Sequence, residues 1–466
     1  MGPGDSLCGH GRRLFALSAL LSVTVLLLPG ARALTHGWDC ISCASNSMLA
    51  ANFGTWRQDI NLSDPWWIKT IADSHHTIIL NNFWKQGAGS YNGSGEDSKV
   101  TIARALKARN PKLMVYFYQP ADRLGDTAYV LDALAAHPEW WLRDDFGNIV
   151  PFGGQGDRHQ IDTSVPAAQD FFANLSVSLF HERADAEALL DGVMVDGTSW
   201  SGASRYGPNV SAARYTKLFE GKMAMLAKMQ SILQQLNGHG EVWGNPLMEY
   251  GQIGGGGHEG DSTGARWNET LAYYDGAFDE MFGSFGTMDS NGEWDVVKMR
   301  YSFESIMNAS AAGKTIVLHA VPGPAGANDA SQGGMFPTRG DVAHHNTFHA
   351  AAWAGPNKVP ATGDGCRAAS AARLVESLAP FLIVASERVF FGYGWFYNLE
   401  DGYIPCPADI ECGMPTSWFP EYSKPLGAPL GPAASDASKT VWTRRFAHAS
   451  VSVDLRNRSL SKIEWS

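Results

Sequence analysis

Two groups of carboxylate side chains in this sequence of 466 residues stand where catalytic carboxylates are commonly found. Asp196 ends the apolar run 192–195, and Gly197 follows it, which allows the backbone to turn at once. Asp279 and Glu280 lie side by side between aromatic and other apolar residues, where burial raises the pKa of a carboxyl group. A carboxyl group that stays protonated near neutral pH can act as a general acid. One such acid, paired with a carboxylate that attacks or activates water, cleaves glycosidic bonds.

Both carboxylate positions also have a purely structural interpretation. An Asp at the end of a strand commonly caps the loop that follows, and a buried Asp or Glu is commonly part of an ion pair. The sequence leaves the catalytic and the structural interpretations open for Asp196, for Asp279 and for Glu280.

The elements that must position these carboxylates alternate along the chain. Short apolar runs predict strands at 76–83, 112–119, 159–162, 192–196, 241–245, 276–282, 314–321 and 381–384. Amphipathic segments predict helices at about 97–109, 126–136, 167–180, 211–237, 293–312, 341–353 and 367–377. Strands that are buried on both faces and joined by helices favour an α/β fold, a (β/α)8 TIM barrel. A doubly wound open sheet is the alternative, but no GxGxxG follows the first strand to favour it.

The C-terminal part of the chain has a different pattern. The barrel is predicted to span 34–396, and residues 397–435 form a connection rich in Pro and Gly. Apolar and polar residues then alternate over 440–446, 450–455 and 462–465, which predicts three short strands. Residues 436–466 are therefore expected to form a small antiparallel β appendage.

Polar residues near the predicted strand ends supply candidates for substrate binding. In a barrel, the loops after the C-terminal ends of the strands build the active site. The candidates are Asn81, Tyr118, Asp162, Trp200, Asn245 and His319.

The sequence predicts no metal site and no cofactor. His345 and His349 have helical spacing but lack the Glu of an HExxH zinc site, and the glycine run 254–257 lacks the Lys-Ser/Thr of a phosphate-binding loop.

The first 33 residues predict a secretory signal peptide. Arg12 and Arg13 precede an apolar run at 14–28, and the small residues Ala31 and Ala33 suit cleavage. This run is shorter than the roughly 20 residues that span a bilayer, and no later segment is apolar enough to do so. We therefore expect a secreted protein, or one in the endomembrane lumen, without a transmembrane segment after cleavage.

Other features of the sequence agree with a secretory route. Asn-x-Ser/Thr sequons, which predict N-glycosylation, occur at Asn61, Asn92, Asn174, Asn209, Asn268, Asn308 and Asn457. Five cysteines follow residue 33 (Cys40, Cys43, Cys366, Cys406 and Cys412), and we interpret them as structural or disulfide-forming. The net charge of −11 argues against a nucleic-acid partner, which requires a basic surface.

The stretch from about 75 to 400 resembles glycoside-hydrolase barrels loosely related to the α-galactosidases and endo-α-polygalactosaminidases. The matching segments are HPEWWLRDDFGNIV (137–150), HQIDTSVPAAQDFF (159–172), DGVMVDGTSW (191–200) and YDGAFDEMFG (274–283), and residues 442–465 resemble the β appendage that follows such barrels. The resemblance implies that Asp196 is the nucleophile or base and Glu280 the acid, with Asp279 as second choice. Met194 stands where the α-galactosidase pattern has a Lys, so α-galactoside specificity is not implied.

The sequence thus predicts a secreted glycoside hydrolase that cleaves O-glycosidic bonds of an oligo- or polysaccharide with two carboxylates. It leaves open the sugar, the linkage, the stereochemical outcome and the oligomeric state. The alternatives are a non-catalytic carbohydrate-binding or cell-surface barrel, and a metal-dependent hydrolase of ester or amide substituents.

Overall fold

The computed structural model of the chain describes Ile68, Ala72 and residues 77–80, 95–120, 134–152, 155–182, 189–198, 209–237, 240–245, 271–280, 282–283, 287, 293–320, 363–393 and 419–466. All of them belong to one compact unit, Leu34–Ser466. The predictions for residues 1–33, Asn81, Trp200, the glycine run 254–257, His345, His349 and the cysteine side chains lie outside the described residues.

A parallel sheet is the centre of the fold. Its strands follow the apolar runs of the sequence: β1 (Thr77–Leu80), β2 (Met114–Pro120), β5 (Gly192–Asp196), β6 (Glu241–Asn245), β7 (Gly276–Glu280), β8 (Thr315–Ala320) and β9 (Val389–Tyr393). In the described residues this sheet has seven strands in the order β1-β2-β5-β6-β7-β8-β9, and every neighbouring pair is parallel. The predicted α/β fold is confirmed: the described strands form a curled half-barrel sheet, which is consistent with a TIM-like barrel.

Helices connect the parallel strands and cover one face of the sheet. The longer α-helices of the described residues are α1 (Gly95–Arg109), α2 (Pro166–Glu182), α3 (Ala212–Asn237), α4 (Val296–Ala311) and α5 (Gly363–Val384). Asp295 caps the N-terminus of α4, where its side chain accepts hydrogen bonds from the backbone N–H groups of Val297 and Lys298. In this described part of the chain, no helix is both long and apolar enough to cross a bilayer.

The two faces of the sheet are buried against different partners because successive side chains of a strand point in opposite directions. Val193, Val195 and Val242 pack in one apolar cluster with residues of the helices, such as Leu218 and Leu226. The other face carries a second set of buried side chains: Tyr116, Met194, Trp243, Phe278 and Val317. We call this second set the inner face. Burial on both sides explains why the strands are nearly continuous apolar runs.

The predicted antiparallel sheet at the C-terminus is confirmed. It contains β10 (Ala434–Ser435), β11 (Val441–Arg445), β12 (Ala449–Asp454) and β13 (Lys462–Trp465), paired in that order. Trp442, Val451 and Val453 join the apolar cluster that also contains residues of α4 and α5. One guanidinium nitrogen of Arg444 donates to the carbonyls of Leu382, Ile383 and Ala385, at distances of 3.2, 2.8 and 2.5 Å, at the C-terminal end of α5.

The prediction of a strand at 381–384 is wrong. These residues form the last turn of α5, and the strand is Val389–Tyr393. Phe381, Leu382, Ile383 and Val384 are all buried, so four consecutive apolar residues carry no periodicity. A short run of this kind does not distinguish a buried helix from a buried strand.

The prediction of a barrel strand at 159–162 is also wrong. The nearby strand β4 (Gln155–His159) pairs antiparallel with β3 (Pro151–Phe152) in a separate two-stranded sheet, and β2 pairs directly with β5. This hairpin belongs to the segment between β2 and α2, which takes the place of a third barrel strand in the described residues. An eight-stranded, closed barrel therefore stays a prediction.

Candidate functional site

Asp196 lies at the C-terminal end of β5, and its carboxylate accepts hydrogen bonds from Tyr118, Asn245 and Gly197. The hydroxyl of Tyr118 donates to Oδ2 at 2.6 Å, and Nδ2 of Asn245 donates to Oδ1 at 2.9 Å. The backbone N–H of Gly197 donates to Oδ1 at 2.8 Å. Tyr118 and Asn245 come from β2 and β6, the two strands that flank β5. Two of the predicted substrate-binding residues therefore contact the predicted catalytic Asp directly, and they hold the plane of its carboxylate.

The turn after Asp196 is supported from several sides. Gly197 has a φ of +74°, a left-handed conformation that favours glycine. The backbone N–H groups of Gly197 and Thr198 both donate to the carbonyl of Asn245, at 3.0 and 3.2 Å. The ammonium group of Lys222, a buried residue of α3, donates to the carbonyl of Gly197 at 2.9 Å. These contacts determine where the carboxylate of Asp196 points.

His319 lies on β8, two strands away from β6, and is fully enclosed. Its ring stacks on Phe278 with a centroid distance of 6.0 Å and an interplanar angle of 25°. Burial lowers the pKa of His319 from 6.5 to about 4, because a charged imidazolium loses its hydration there. His319 is therefore neutral at physiological pH, and its alternation with Val317 places it on the inner face.

Asp279 and Glu280, the two candidates for the acid, are separated by the alternation of β7. Asp279 is completely buried and follows Phe278, so it shares the face of Ala277, which packs in the cluster with α4 and α5. The structure does not bring Asp279 to the inner face, where Asp196 lies. The backbone of Glu280 ends β7 and pairs with His319, while its side chain lies outside the described part.

Asp162 stands apart from this group. One carboxylate oxygen accepts from Nη2 of Arg214 on α3 at 2.8 Å, and the other accepts from the backbone N–H of Ser164 at 3.0 Å. Asp162 is buried and joins the start of α2 to α3. Among the described residues, its contacts are those of a residue that fixes the approach of two helices.

A second polar group occupies the opposite, N-terminal end of the strands. Oε2 of Glu241 accepts from the hydroxyl of Tyr116 at 2.5 Å and from Nε1 of Trp243 at 2.8 Å. Burial raises the pKa of Glu241 and, together with the nearby carboxylate, raises the pKa of Tyr116 well above 10. Asp191 and Asp275 each accept a hydrogen bond from the backbone of a neighbouring strand at this end. This end of a barrel commonly serves stability.

Lys222 and Glu241 were not predicted from the sequence. A lysine in a helical segment usually belongs to the solvated face, and an acid at the start of a strand usually lies at the surface. The flanking apolar residues Met223 and Val242 gave no signal that would distinguish these two residues from surface charges. Their roles depend on contacts between elements that are distant in the sequence.

No family model and no curated protein matches the chain. Solved structures that it resembles include the glycoside hydrolase domain of PelA from Pseudomonas aeruginosa, at 11% identity and a TM-score of 0.34, with 63% of this chain and 88% of that chain covered. Cyclic α-maltosyl-(1→6)-maltose hydrolase from Arthrobacter globiformis is 11% identical, with a TM-score of 0.36 and coverage of 77% and 71%. A family 39 glycoside hydrolase from Bacteroides cellulosilyticus WH2 is 9% identical, with a TM-score of 0.41 and coverage of 84% and 68%.

Proposed function

We propose that the chain is a secreted glycoside hydrolase that cleaves O-glycosidic bonds of an oligo- or polysaccharide, with Asp196 and Glu280 as its two carboxylates. The observation that carries the proposal is the carboxylate of Asp196, which three donors orient at the C-terminal end of a parallel strand. In barrels of this topology, that end of the strands is where active sites lie.

Asp196 has the geometry that a nucleophile or base requires. Its oxygens accept hydrogen bonds from groups that are themselves held by strands, so the carboxylate cannot swing away from a bound sugar. The hydroxyl of Tyr118 orients Oδ2, and we assign the carboxylate of Asp196 to the anomeric carbon or to the attacking water.

Glu280 is the better choice for the acid than Asp279. Strand alternation assigns position 280 to the face of Phe278, which is the inner face, whereas Asp279 belongs to the helix-covered face. Two strand spacings of about 4.8 Å separate β5 from β7, and the register brings Phe278 level with Asp196. Position 280 lies two residues further along β7, so the backbones of positions 196 and 280 are about 12 Å apart. Carboxylate side chains that reach inward from this separation can flank a glycosidic bond.

The chemistry proceeds by proton transfer and displacement at the anomeric carbon. Glu280 donates its proton to the glycosidic oxygen, the bond between this oxygen and the anomeric carbon breaks, and the alcohol leaves. With retention, Asp196 bonds to the anomeric carbon, and a water that loses its proton to Glu280 then displaces the carboxylate. With inversion, Asp196 takes a proton from the water that attacks the anomeric carbon. Substrate binding by His319 stays a prediction, because its ring is enclosed among the described residues. The secretory route, the kinship with the α-galactosidase superfamily and a closed eight-stranded barrel belong to the same proposal.

The test is hydrolysis of a panel of natural glycans and aryl glycosides by the purified, secreted chain and three variants. Asp196→Asn and Glu280→Gln should each lower kcat by at least about 1000-fold, as expected when a principal catalytic group is removed. Asp279→Asn is the matched control and should keep activity wherever the protein remains folded, because Asp279 belongs to the other face. Proton NMR of the released sugar distinguishes retention from inversion.

Two outcomes would contradict the proposal. Full activity of both the Asp196→Asn and the Glu280→Gln variants would show that the site is elsewhere. Binding of a glycan that both variants preserve, without turnover of any glycan by the wild type, would identify a non-catalytic carbohydrate-binding barrel.

A further inference from the structure

The turn at residues 144–148 presents an aromatic side chain to solvent. Phe146 is 78% exposed, the highest exposure of any large hydrophobic residue in the described part of the chain. The turn is closed by a hydrogen bond from the N–H of Gly147 to the carbonyl of Asp144 at 3.0 Å, and Gly147 has a left-handed φ of +88°. The carboxylate of Asp144 also accepts from the N–H groups of Phe146 and Asn148, at 3.0 and 2.8 Å. The exposed ring therefore sits on a well-defined turn.

A glycosylation sequon, Asn209-Val210-Ser211, lies against the same turn. The N–H of Asp145 donates to the carbonyl of Asn209 at 3.0 Å, and the N–H of Ser211 donates to Oδ2 of Asp145 at 3.1 Å. Nδ2 of Asn209 lies 3.4 Å from Oδ2 of Asp144. Asn209 is exposed, so its amide is accessible.

The atom that would carry a glycan is thus separated from the backbone of Phe146 by one carboxylate group. Nδ2 of Asn209 and the N–H of Phe146 both donate to Asp144, each to a different oxygen. A glycosylated Asn keeps one amide hydrogen, so its contact with Asp144 can persist. The first sugar residue then begins one carboxylate group away from the backbone of the residue that carries the exposed ring.

We propose that Asn209 carries an N-linked glycan and that the first N-acetylglucosamine packs on the ring of Phe146. This inference rests on the secretory route of the proposed function, but not on its catalysis. The transfer forms a bond between Nδ2 and the anomeric carbon of an oligosaccharide linked to a lipid pyrophosphate. The bond between that carbon and the pyrophosphate breaks, the lipid pyrophosphate leaves, and one amide proton is released.

The physical reason is burial of complementary apolar surfaces. The C–H groups on one face of a pyranose ring form an apolar surface, and an aromatic ring packs on it with the loss of hydration from both. At 78% exposure, Phe146 buries little of its apolar surface against the protein itself. Asn174, Asn308 and Asn457, the other sequon residues in the described part of the chain, are exposed too, but Phe146 is the one exposed aromatic residue there.

The experiment is a double-mutant cycle on the full chain, secreted from eukaryotic cells. Wild type, Asn209→Gln, Phe146→Ala and the double variant are compared by glycopeptide mass spectrometry and by amide hydrogen exchange of the peptide that contains residues 143–149. We expect Asn209 to be occupied in the wild type and in Phe146→Ala. Loss of the glycan should speed exchange of the turn about two- to tenfold more when Phe146 is present than in the Phe146→Ala background, from an aromatic contact of ordinary strength. In the Phe146→Ala background, Asn209→Gln removes only the contact of Asn209 with Asp144.

Asn308→Gln on α4 is the matched control, and it should leave exchange of the turn unchanged in both backgrounds. An unmodified Asn209 in the secreted protein would overturn the inference, and so would an equal effect of Asn209→Gln in both backgrounds. Weaker binding of a substrate glycan by Phe146→Ala, with no coupling to Asn209, would assign the ring to the substrate and would also overturn it. Glycan hydrolysis is measured separately, so the occupancy of Asn209 and the hydrogen exchange of the turn can be interpreted even if the protein has no hydrolase activity.

Discussion

The hydroxyl of Tyr118 donates a 2.6 Å hydrogen bond to Oδ2 of Asp196, although 78 positions separate the two residues in the sequence. They meet because β2 and β5 are neighbours in the sheet and their registers bring Pro120 opposite Asp196. The contact joins a predicted binding residue to a predicted catalytic residue, and it can be removed by deleting a single oxygen atom.

Replacement of Tyr118 by Phe should lower kcat/KM about 10- to 100-fold, since a hydrogen bond to a charged group contributes roughly 1.5–3 kcal/mol. The measurement is steady-state hydrolysis of the best substrate from the glycan panel. Tyr116→Phe is the matched control because Tyr116 lies on the same strand but bonds to Glu241 at the opposite end. If both variants lost activity equally, the contact with Asp196 would have no special role in the reaction.

Replacement of Lys222 by Met should lower both stability and kcat. Lys222 is buried and donates to the carbonyl of Gly197, which would lose its partner in the turn that orients Asp196. Loss of such a bond costs about 1–3 kcal/mol. Urea unfolding and steady-state kinetics measure the two effects. Lys217→Met, at an exposed position on the same helix, should change neither quantity. Unchanged stability and kcat in Lys222→Met would refute the supporting role.

His319 should make the protein less stable as the pH falls from about 6.5 to about 4. Its pKa in the folded state is about 4, below the ordinary value of 6.5, so the unfolded chain binds a proton in this window and the folded protein does not. The full window corresponds to roughly 3 kcal/mol of unfolding free energy. Denaturant unfolding at several pH values should show that the free energy of unfolding of His319→Gln falls less steeply with decreasing pH than that of the wild type. His448→Gln, at an exposed position, is the control, and its free energy of unfolding should fall with pH as that of the wild type does. The same pH dependence in His319→Gln and the wild type would contradict the lowered pKa of His319.

Glu241 should have the opposite effect on the pH dependence of stability. Burial raises its pKa in the folded state, so the folded protein holds a proton that the unfolded chain has released, and stability is lost as the pH rises above about 4.5. Glu241→Gln keeps an oxygen acceptor for Tyr116 and Trp243 but cannot ionise. As the pH rises, Glu241→Gln should therefore become more stable relative to the wild type, as measured by the free energy of unfolding. Glu220→Gln, at an exposed helix position, serves as the control. A difference in free energy of unfolding that does not change with pH would argue against a pKa of Glu241 that burial raises.

The regular elements were predictable where a pattern was long or clearly bounded. The helix predicted at 211–237 is observed at Ala212–Asn237, and the apolar run before Asp196 is the strand Gly192–Asp196. The alternating strands near the C-terminus were equally clear because one face of that sheet is covered and the other is polar. Four apolar residues at 381–384 were ambiguous, since burial on all sides removes the periodicity that separates a helix from a strand.

The sequence by itself determined that an acidic residue ends a buried strand at position 196 and that two acids share a strand at 279 and 280. The period of two along a strand already separates those two acids, but which of them shares a face with Asp196 depends on which side the helices cover. Only the tertiary structure decided that Tyr118, Asn245 and Lys222 converge on Asp196 and its turn, and that Asp162 binds Arg214 instead. The physical reason is that strand order and register bring together side chains that are distant in the chain, and local residue patterns do not encode either property.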